Sequence, residues 1–190
     1  MAQQPDELLE TKRASFEREA LPHLDVLHGF ALRLVSGDEA RAEDLVQEAM
    51  LRAYRAWHTF EPGTNCKAWL MTIVHNTMVN YYRSWKRRPT EVDVNAVAER
   101  TVFEDVRGVD PEGEFFDRIV DKEVLRAIDR LPLKHREAVV LRDVQGLTYA
   151  EMVQVLGVPE GTVKSRLFRA RQTLQRELYD FAREMGYVKG

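Results

Sequence analysis

Residues 148–176 constrain the fold of this chain most, because they predict two helices joined by a tight turn. Thr148 and Glu151 have the spacing of a capping box, in which a hydroxyl and a carboxylate each satisfy a free amide at a helix start. Gly157 can adopt the positive φ that ends the first helix. Pro159 lacks an amide donor and suits the start of a second helix. The segment is therefore predicted to be a helix-turn-helix.

The second helix of this motif combines an apolar stripe with a basic face. Val163, Leu167, Ala170 and Leu174 recur at helical spacing and are predicted to be buried. Residues 160–176 contain five basic residues and one acidic residue, in a chain whose formal net charge is −3. Solvated helix faces usually mix both signs, so this segregation favours binding of DNA phosphates over a simple solvated face. The outward residues are Lys164, Arg166, Phe168, Arg169, Arg171 and Arg176.

Composition limits where a nucleic acid could bind and which compartment the chain suits. The sequence pI is about 6.0, so a nucleic-acid contact must come from local patches and not from the overall charge. One cysteine among 190 residues excludes an internal disulfide framework. The sequence shows neither a signal peptide nor an apolar run of membrane-spanning length, which predicts a cytoplasmic protein without membrane insertion.

The N-terminal third predicts a short tail and two helices. Residues 1–15 are polar and are expected to form a disordered tail, followed by a helix over residues 16–34 and another over residues 42–57. The second of these helices buries an apolar side that includes Leu45 and Trp57. Its other side is polar except for Leu51, and is either a solvated face or a docking surface for a partner helix. That side consists of Asp44, Gln47, Glu48, Leu51, Arg52 and Arg55.

A third helix, predicted over residues 67–85, changes character after Asn76. Its second half combines amide, aromatic and basic side chains, which respectively contact base edges, stack on bases and hold the backbone of a single strand. Some of these aromatic residues are expected to pack in the core instead. The candidate strand-binding residues are Asn80, Tyr81, Tyr82, Arg83, Trp85, Lys86, Arg87 and Arg88.

An acidic segment separates two helical domains. Residues 90–121 contain ten acidic and three basic residues, so residues 90–117 are predicted to be a linker, either a solubilising spacer or a mimic of a nucleic-acid strand. Helical periodicity returns before Leu131 and continues into the helix-turn-helix. We therefore expect an all-α fold with one domain at residues 16–89 and a second at residues 118–190.

The residue patterns of several enzyme classes are missing from the sequence. The five histidines lack the spacing of a zinc site, and neither a phosphate-binding loop nor a nucleophile motif is present. We therefore expect a protein that is not an enzyme and has no metal, cofactor or small-molecule substrate.

Three segments resemble the extracytoplasmic-function (ECF) sigma factors of the sigma-70 family. Residues 44–55 are similar to the family's helix that docks on the coiled coil of the polymerase beta-prime subunit. Residues 67–88 resemble the segment that captures the melted minus-10 element, and the position of Asn76 helps to form a pocket for a flipped base. Residues 161–171 are similar to the minus-35 recognition helix, and the resemblance places Lys164, Ser165, Phe168 and Arg169 at bases or adjoining phosphates.

The resemblance implies an alternative sigma factor that directs promoter-specific initiation. Its expected partners are core RNA polymerase, through the beta-prime coiled coil and the beta flap, promoter DNA and an anti-sigma factor. Residues 61–65, ahead of the Lys-Ala-Trp-Leu motif, further resemble the group controlled by zinc-containing, thiol-sensing anti-sigma factors. Cys66 occupies a usually aliphatic position, which favours a core substitution over a regulatory thiol.

Two other classes of function remain open from the residues alone. A conventional dimeric helix-turn-helix regulator would bind a palindromic duplex autonomously, with residues 1–90 as an effector or dimerisation domain. A protein-binding regulator would dock its basic helix on an acidic partner. Neither class requires the aromatic and basic cluster of residues 81–88.

Overall fold

The computed structural model describes residues 5–86 and 122–184, and every regular element within these two ranges is a helix. The α-helices are α1 (Pro5–Glu19), α2 (Leu24–Leu34), α3 (Glu39–Ala56), α4 (Cys66–Lys86), α5 (Lys122–Arg130), α6 (Leu133–Val139), α7 (Tyr149–Leu156) and α8 (Glu160–Glu184). The all-α fold class is confirmed. The linker predicted at residues 90–117 lies outside the described residues.

Helix α1 contradicts the prediction of a disordered tail for residues 5–15. Phe16 is buried and packs edge-on against Tyr54 and Trp57, with ring centroids 5.2 and 5.1 Å apart. The Trp57 indole N–H also donates to Ser15 Oγ at 3.2 Å. These contacts anchor the end of α1 on residues about forty positions away, which helical periodicity within residues 1–15 could not reveal.

The single helix predicted over residues 16–34 is divided in the structure. A 3₁₀ turn, Leu21–His23, separates α1 from α2. Pro22 lies in this turn, and proline cannot supply the amide donor that a continuous helix requires.

Helices α3 and α4 follow their predicted spans closely. The predicted inner side of this segment is buried: Leu45 in α3 and Trp57, directly after α3, are each 7% exposed. In α4, Leu70 and Val74 are buried, but Tyr81, farther along the same helix, is 61% exposed. The apolar packing of α4 therefore ends before its last turns.

The helix-turn-helix forms where it was predicted. Thr148 Oγ1 accepts from the Glu151 amide at 3.3 Å, and the Glu151 carboxylate accepts from the Thr148 amide at 2.7 Å. Gly157 adopts φ 63° at the end of α7. Upstream, α6 continues into a π-helical turn, Val140–Val144, which connects it to the motif.

The apolar stripe of α8 is buried as predicted, and it lies in a core shared by both halves of the chain. Val163, Leu167, Ala170 and Leu174 are each at most 2% exposed. Helix α4 packs against α7, and α2 packs against α6, so the two halves are in direct contact. Among the described residues, no helix is both long and apolar enough to cross a membrane.

The positive φ of Gly157 gives a prediction with an internal control. No atom lies within 4 Å of a Cβ added at Gly157 or at Gly161, so the two sites differ chiefly in backbone conformation. We expect Gly157→Ala to lower the free energy of unfolding by about 1 kcal/mol because of left-handed strain. Gly161→Ala should instead raise it by about 0.5 kcal/mol. Urea denaturation of the full chain measures both, and equal signs would contradict the turn geometry.

Candidate nucleic-acid and polymerase interfaces

The first three turns of α8 present a polar and basic surface. Burial of Val163 and Leu167 turns the opposite side of the helix outward. Lys164, Ser165 and Arg169 are exposed, and their donors suit base edges or phosphates. Arg166 and Phe168 are half-buried at the edge of this surface. These five of the candidate residues therefore lie on or beside one accessible helix face.

Lys164 is held by two groups on this surface. Its Nζ lies 2.7 Å from Glu160 Oε1, one helical turn earlier. The hydrogen bond and charge of Glu160 raise the pKa of the Lys164 ammonium above its usual value. The same Nζ lies 5.3 Å from the ring centroid of Tyr149 in α7. The Lys164 ammonium is therefore fully charged at neutral pH.

Arg171 departs from the predicted DNA-binding set. Its Nη2 and Nε donate to the two oxygens of Asp143, at 2.7 and 3.2 Å, and the two side chains are 10% and 8% exposed. A bidentate pair at this depth fixes α8 to the π-helical turn. We therefore withdraw Arg171 as a DNA contact and assign it to the packing of the motif.

The second half of α4 carries a separate polar and aromatic surface. Asn76 and Asn80 are exposed, Tyr81 is 61% exposed and Tyr82 is 36% exposed. Amides and aromatic faces are thus available together along one helix, as the binding of unpaired bases requires. Three further candidates, Arg83, Trp85 and Lys86, belong to α4, but their side chains are not among those that the structure describes. Arg87 and Arg88 lie outside the described residues.

The outer side of α3 is accessible, as the docking interpretation requires. Asp44, Gln47, Arg52 and Arg55 are exposed, and Leu51 is 50% exposed. Glu48 is half-buried and accepts from Arg52 Nε at 2.7 Å.

Two cavities adjoin this side of α3, and the sequence did not indicate either of them. A groove of about 800 Å³ runs between α3 and the end of α1 and the start of α2, and its wall includes Leu24, Met50 and Leu51. A smaller pocket of about 310 Å³ lies between α3 and α4, beside Met78 and Tyr81. Their walls come from different helices, so periodicity within one helix gives no signal for them.

Charged side chains link the two halves of the chain. Arg33 Nη1 donates to Asp129 Oδ2 at 2.5 Å. The buried Arg136 guanidinium donates through Nη1 to the Arg33 carbonyl and to Ser36 Oγ, each at 2.7 Å. Burial nevertheless raises the pKa of the Asp129 carboxyl, although the charges of Arg33 and Arg136 oppose that shift. The α2 end of the first domain is therefore joined to α5 and α6 of the second by a compact ionic cluster.

Further contacts connect α4 to the second domain. His75 Nε2 lies 3.3 Å from Glu137 Oε1, and both side chains are nearly buried. Lys67 Nζ donates to the Gln145 carbonyl at 2.7 Å. Asn65 Nδ2 donates at 2.5 Å to the other oxygen of the carboxylate that caps α7. The helix-turn-helix is thus held directly against the first domain in this arrangement.

The surroundings of Cys66 favour a packing role. Its side chain is buried at the start of α4. Burial raises the pKa of the Cys66 thiol to about 11. A thiol that stays protonated at neutral pH is a poor nucleophile, which supports the core substitution over the regulatory thiol.

These features define a class of protein: an all-α chain of two domains, one with a helix-turn-helix and the other with an exposed amide and aromatic surface. Two family profiles cover these parts, Sigma-70 region 2 at residues 21–88 and Sigma-70, region 4 at residues 121–174. The curated ECF RNA polymerase sigma factor EcfG of Rhodopseudomonas palustris (strain TIE-1) is 37% identical over 173 residues, 90% of each chain. The chain belongs to the ECF group of the sigma-70 family.

Other relatives agree with this assignment. The ECF RNA polymerase sigma-E factor of Escherichia coli (strain K12) is 36% identical over 152 residues, 78% of each chain. The solved sigma factor RpoE in complex with the anti-sigma factor NepR, from Bartonella quintana, has a TM-score of 0.65 and 29% identity over 87% of this chain and 97% of that chain. CnrH in complex with the cytosolic domain of CnrY shares the fold, with a TM-score of 0.56 and 22% identity over 88% of this chain and 90% of the other.

The ionic cluster between the domains gives a prediction about the free protein. Arg33→Ala removes the bond to Asp129, and a charge-assisted bond of this kind contributes about 1.5–3 kcal/mol. The radius of gyration from small-angle X-ray scattering should therefore rise above that of the wild type. Arg13→Ala removes the same charge from an exposed ion pair within α1 and should leave the radius unchanged. Equal radii for all three proteins would show that the cluster does not hold the domains together.

Proposed function

We propose that this chain is a dissociable specificity subunit of bacterial RNA polymerase in the cytoplasm. The first three turns of α8 bind the minus-35 duplex, the second half of α4 binds the melted minus-10 strand, and the outer side of α3 docks on the beta-prime coiled coil. The beta flap is the proposed contact of the second domain. The linker at residues 90–117 sets the spacing between the two DNA contacts.

The observation that supports this proposal most strongly is the occurrence of two chemically different exposed surfaces in separate sigma-family regions. On α8, Lys164 and Arg169 offer cationic donors to guanine or phosphate, and Phe168 offers an apolar edge for a thymine methyl. On α4, Asn76 and the exposed Tyr81 offer an amide and a stacking face. A conventional duplex regulator requires only the first of these surfaces.

The energetics of strand opening explain why the chain requires a large partner. Separating about ten base pairs, at about 1.4 kcal/mol of stacking per step, costs on the order of 14 kcal/mol. Base stacking on an aromatic side chain returns about 1–3 kcal/mol per base. The few exposed aromatic residues of α4 cannot supply the difference, so the core polymerase contributes the remainder.

The contact between the domains implies that the protein opens when it functions. Elements named minus-35 and minus-10 lie about 25 base pairs apart, or about 85 Å of duplex at about 3.4 Å per base pair. A compact chain of this length has a radius of gyration of only about 16 Å. With α4 packed on α7, the two surfaces cannot reach both elements together. The ionic contacts of Arg33, Arg136 and Lys67 must therefore separate in the polymerase complex.

An anti-sigma factor is the proposed inhibitor of this chain. The solved RpoE from Bartonella quintana is bound to the anti-sigma factor NepR, and its fold matches most of this chain. We propose that a protein of this class holds this sigma factor in an inactive state. The resemblance to the group with zinc-containing, thiol-sensing inhibitors stays a prediction.

Run-off transcription tests the proposed function. Purified bacterial core polymerase is incubated with genomic DNA fragments, with and without this chain. We expect discrete transcripts only when the chain is present, and their start sites then locate the promoter elements. A chain that shifts a duplex alone, without binding or redirecting the polymerase, would instead be a conventional regulator.

Arg169→Ala tests the minus-35 assignment. The variant loses a cationic donor on the exposed face of α8, so promoter binding should weaken by about 1–3 kcal/mol while binding to core polymerase is retained. Fluorescence anisotropy measures the two affinities separately. Arg183→Ala removes the same charge near the end of α8 and should leave both unchanged. Loss of polymerase binding in Arg169→Ala would refute the assignment.

Asn76→Ala tests the minus-10 assignment. Without the exposed amide, capture of an unpaired base should weaken, so open-complex formation falls while binding of the minus-35 duplex is retained. Permanganate reactivity of thymines in the melted segment measures the opening. Gln154→Ala, which removes an exposed amide from α7, is the matched control. Wild-type reactivity in Asn76→Ala would count against the proposed strand-binding surface.

A further inference from the structure

Tyr149 is the first residue of α7, and two cationic side chains from different elements lie over its ring. The Lys164 Nζ of α8 is 5.3 Å from the ring centroid. The Arg142 guanidinium carbon, from the π-helical turn, is 5.0 Å from the same centroid. Both distances fall within the range of cation–π attraction, which extends to about 6 Å. The ring therefore connects the segment before the helix-turn-helix with its second helix.

The ring is held in place by groups that belong to the turn itself. Arg142 Nη1 donates to the Leu147 carbonyl at 2.8 Å, which fixes the guanidinium beside the ring. The capping box of Thr148 and Glu151 fixes the backbone around Tyr149. The ring is half-buried and packs against the apolar core. Tyr149 thus offers Lys164 a fixed aromatic surface and not another mobile side chain.

We propose that Tyr149 is a positioning residue for the minus-35 specificity of Lys164, an inference that rests on the proposed function. The ring and the Glu160 carboxylate together hold the Lys164 ammonium over one part of the α8 face. Lys164 then donates to a base edge at one position of the duplex. The contacts of Tyr149 act through Lys164, and the tyrosine itself does not touch DNA.

The flexibility of lysine explains why positioning of Lys164 by Tyr149 affects sequence preference. A lysine ammonium is a compact charge on a four-carbon stem, and it can turn to any nearby phosphate. Phosphates are present whatever the sequence, so a mobile Lys164 adds affinity without discrimination. An ammonium confined by Tyr149 and Glu160 reaches fewer sites, and a base acceptor in the major groove is then favoured.

Selection from a randomised duplex tests the proposal with the intact holoenzyme. The probe is promoter DNA obtained from wild-type run-off start sites, with the minus-35 block randomised. Core polymerase is bound to each of five full-length proteins. These are the wild type, Tyr149→Leu, Tyr149→Phe, Lys164→Ala and the double variant Tyr149→Leu with Lys164→Ala. Sequencing of the bound fraction gives base preference at every position. Polymerase affinity and thermal stability are measured for each protein.

The proposal predicts a specific pattern among these variants. Lys164→Ala should lose preference at one base pair, by about tenfold. Tyr149→Leu should lose about fivefold at the same base pair and keep the remaining profile, because an aliphatic side chain cannot attract the ammonium. Tyr149→Phe keeps the ring and should match the wild type. In the double variant, the leucine should add nothing to the effect of Lys164→Ala.

Three outcomes would overturn the inference. The first is a Tyr149→Leu profile equal to that of the wild type. The second is a uniform loss across all sequences, which would indicate only a structural role. The third is a loss in Tyr149→Phe, which would indicate that the hydroxyl contacts DNA directly. If the wild-type holoenzyme itself selects no sequence, the proposed function fails, and that result is distinct from these three.

Discussion

The burial of one stripe along α8 is the constraint on which both the second domain and its candidate DNA surface depend. Val163, Leu167, Ala170 and Leu174 are buried in the core, where α8 contacts α5, α6 and α7, and this packing fixes the rotation of the helix about its axis. The opposite side must then face solvent. Since α8 cannot turn without exposing the stripe, the orientation of its polar side chains follows from apolar packing.

Polar contacts also attach α8 firmly to the rest of the second domain. The bidentate bonds between Arg171 and Asp143 tie the helix to the π-helical turn, and the capping box sets the start of α7. Both contacts are formed by polar side chains, and they fix the two helices of the motif, of which α8 carries the exposed polar face. Arg169, on the exposed face of α8, is then displayed on a scaffold that these contacts hold in place. Positive charge thus acts locally in a chain of net negative charge.

Local signals made much of this arrangement predictable from the sequence. The capping box and Gly157 depend on residues within a few positions of each other, and the stripe of α8 depends on helical periodicity. Apart from the helix divided at Pro22, which is a local signal, the failures involve residues that are distant in sequence. Phe16 packs against Trp57, about forty residues away, and Arg171 donates to Asp143, 28 residues earlier. A pattern within one helix contains no information on which remote partner neutralises a charge or covers a ring.

The contact between the domains was not predicted either, because it joins residues that are distant in sequence. Its ionic bonds suit the proposed separation of the domains. The pairs that join Arg33 to Asp129 and Lys67 to the Gln145 carbonyl each involve a charged side chain. On separation, water replaces these partners, which recovers much of the hydrogen-bonding energy and the hydration of the charges. An interface stabilised by apolar burial alone would pay the full cost of exposing that surface. The contact between the two halves combines such ionic bonds with a shared apolar core, so the charged pairs fix its register and apolar burial adds to its stability.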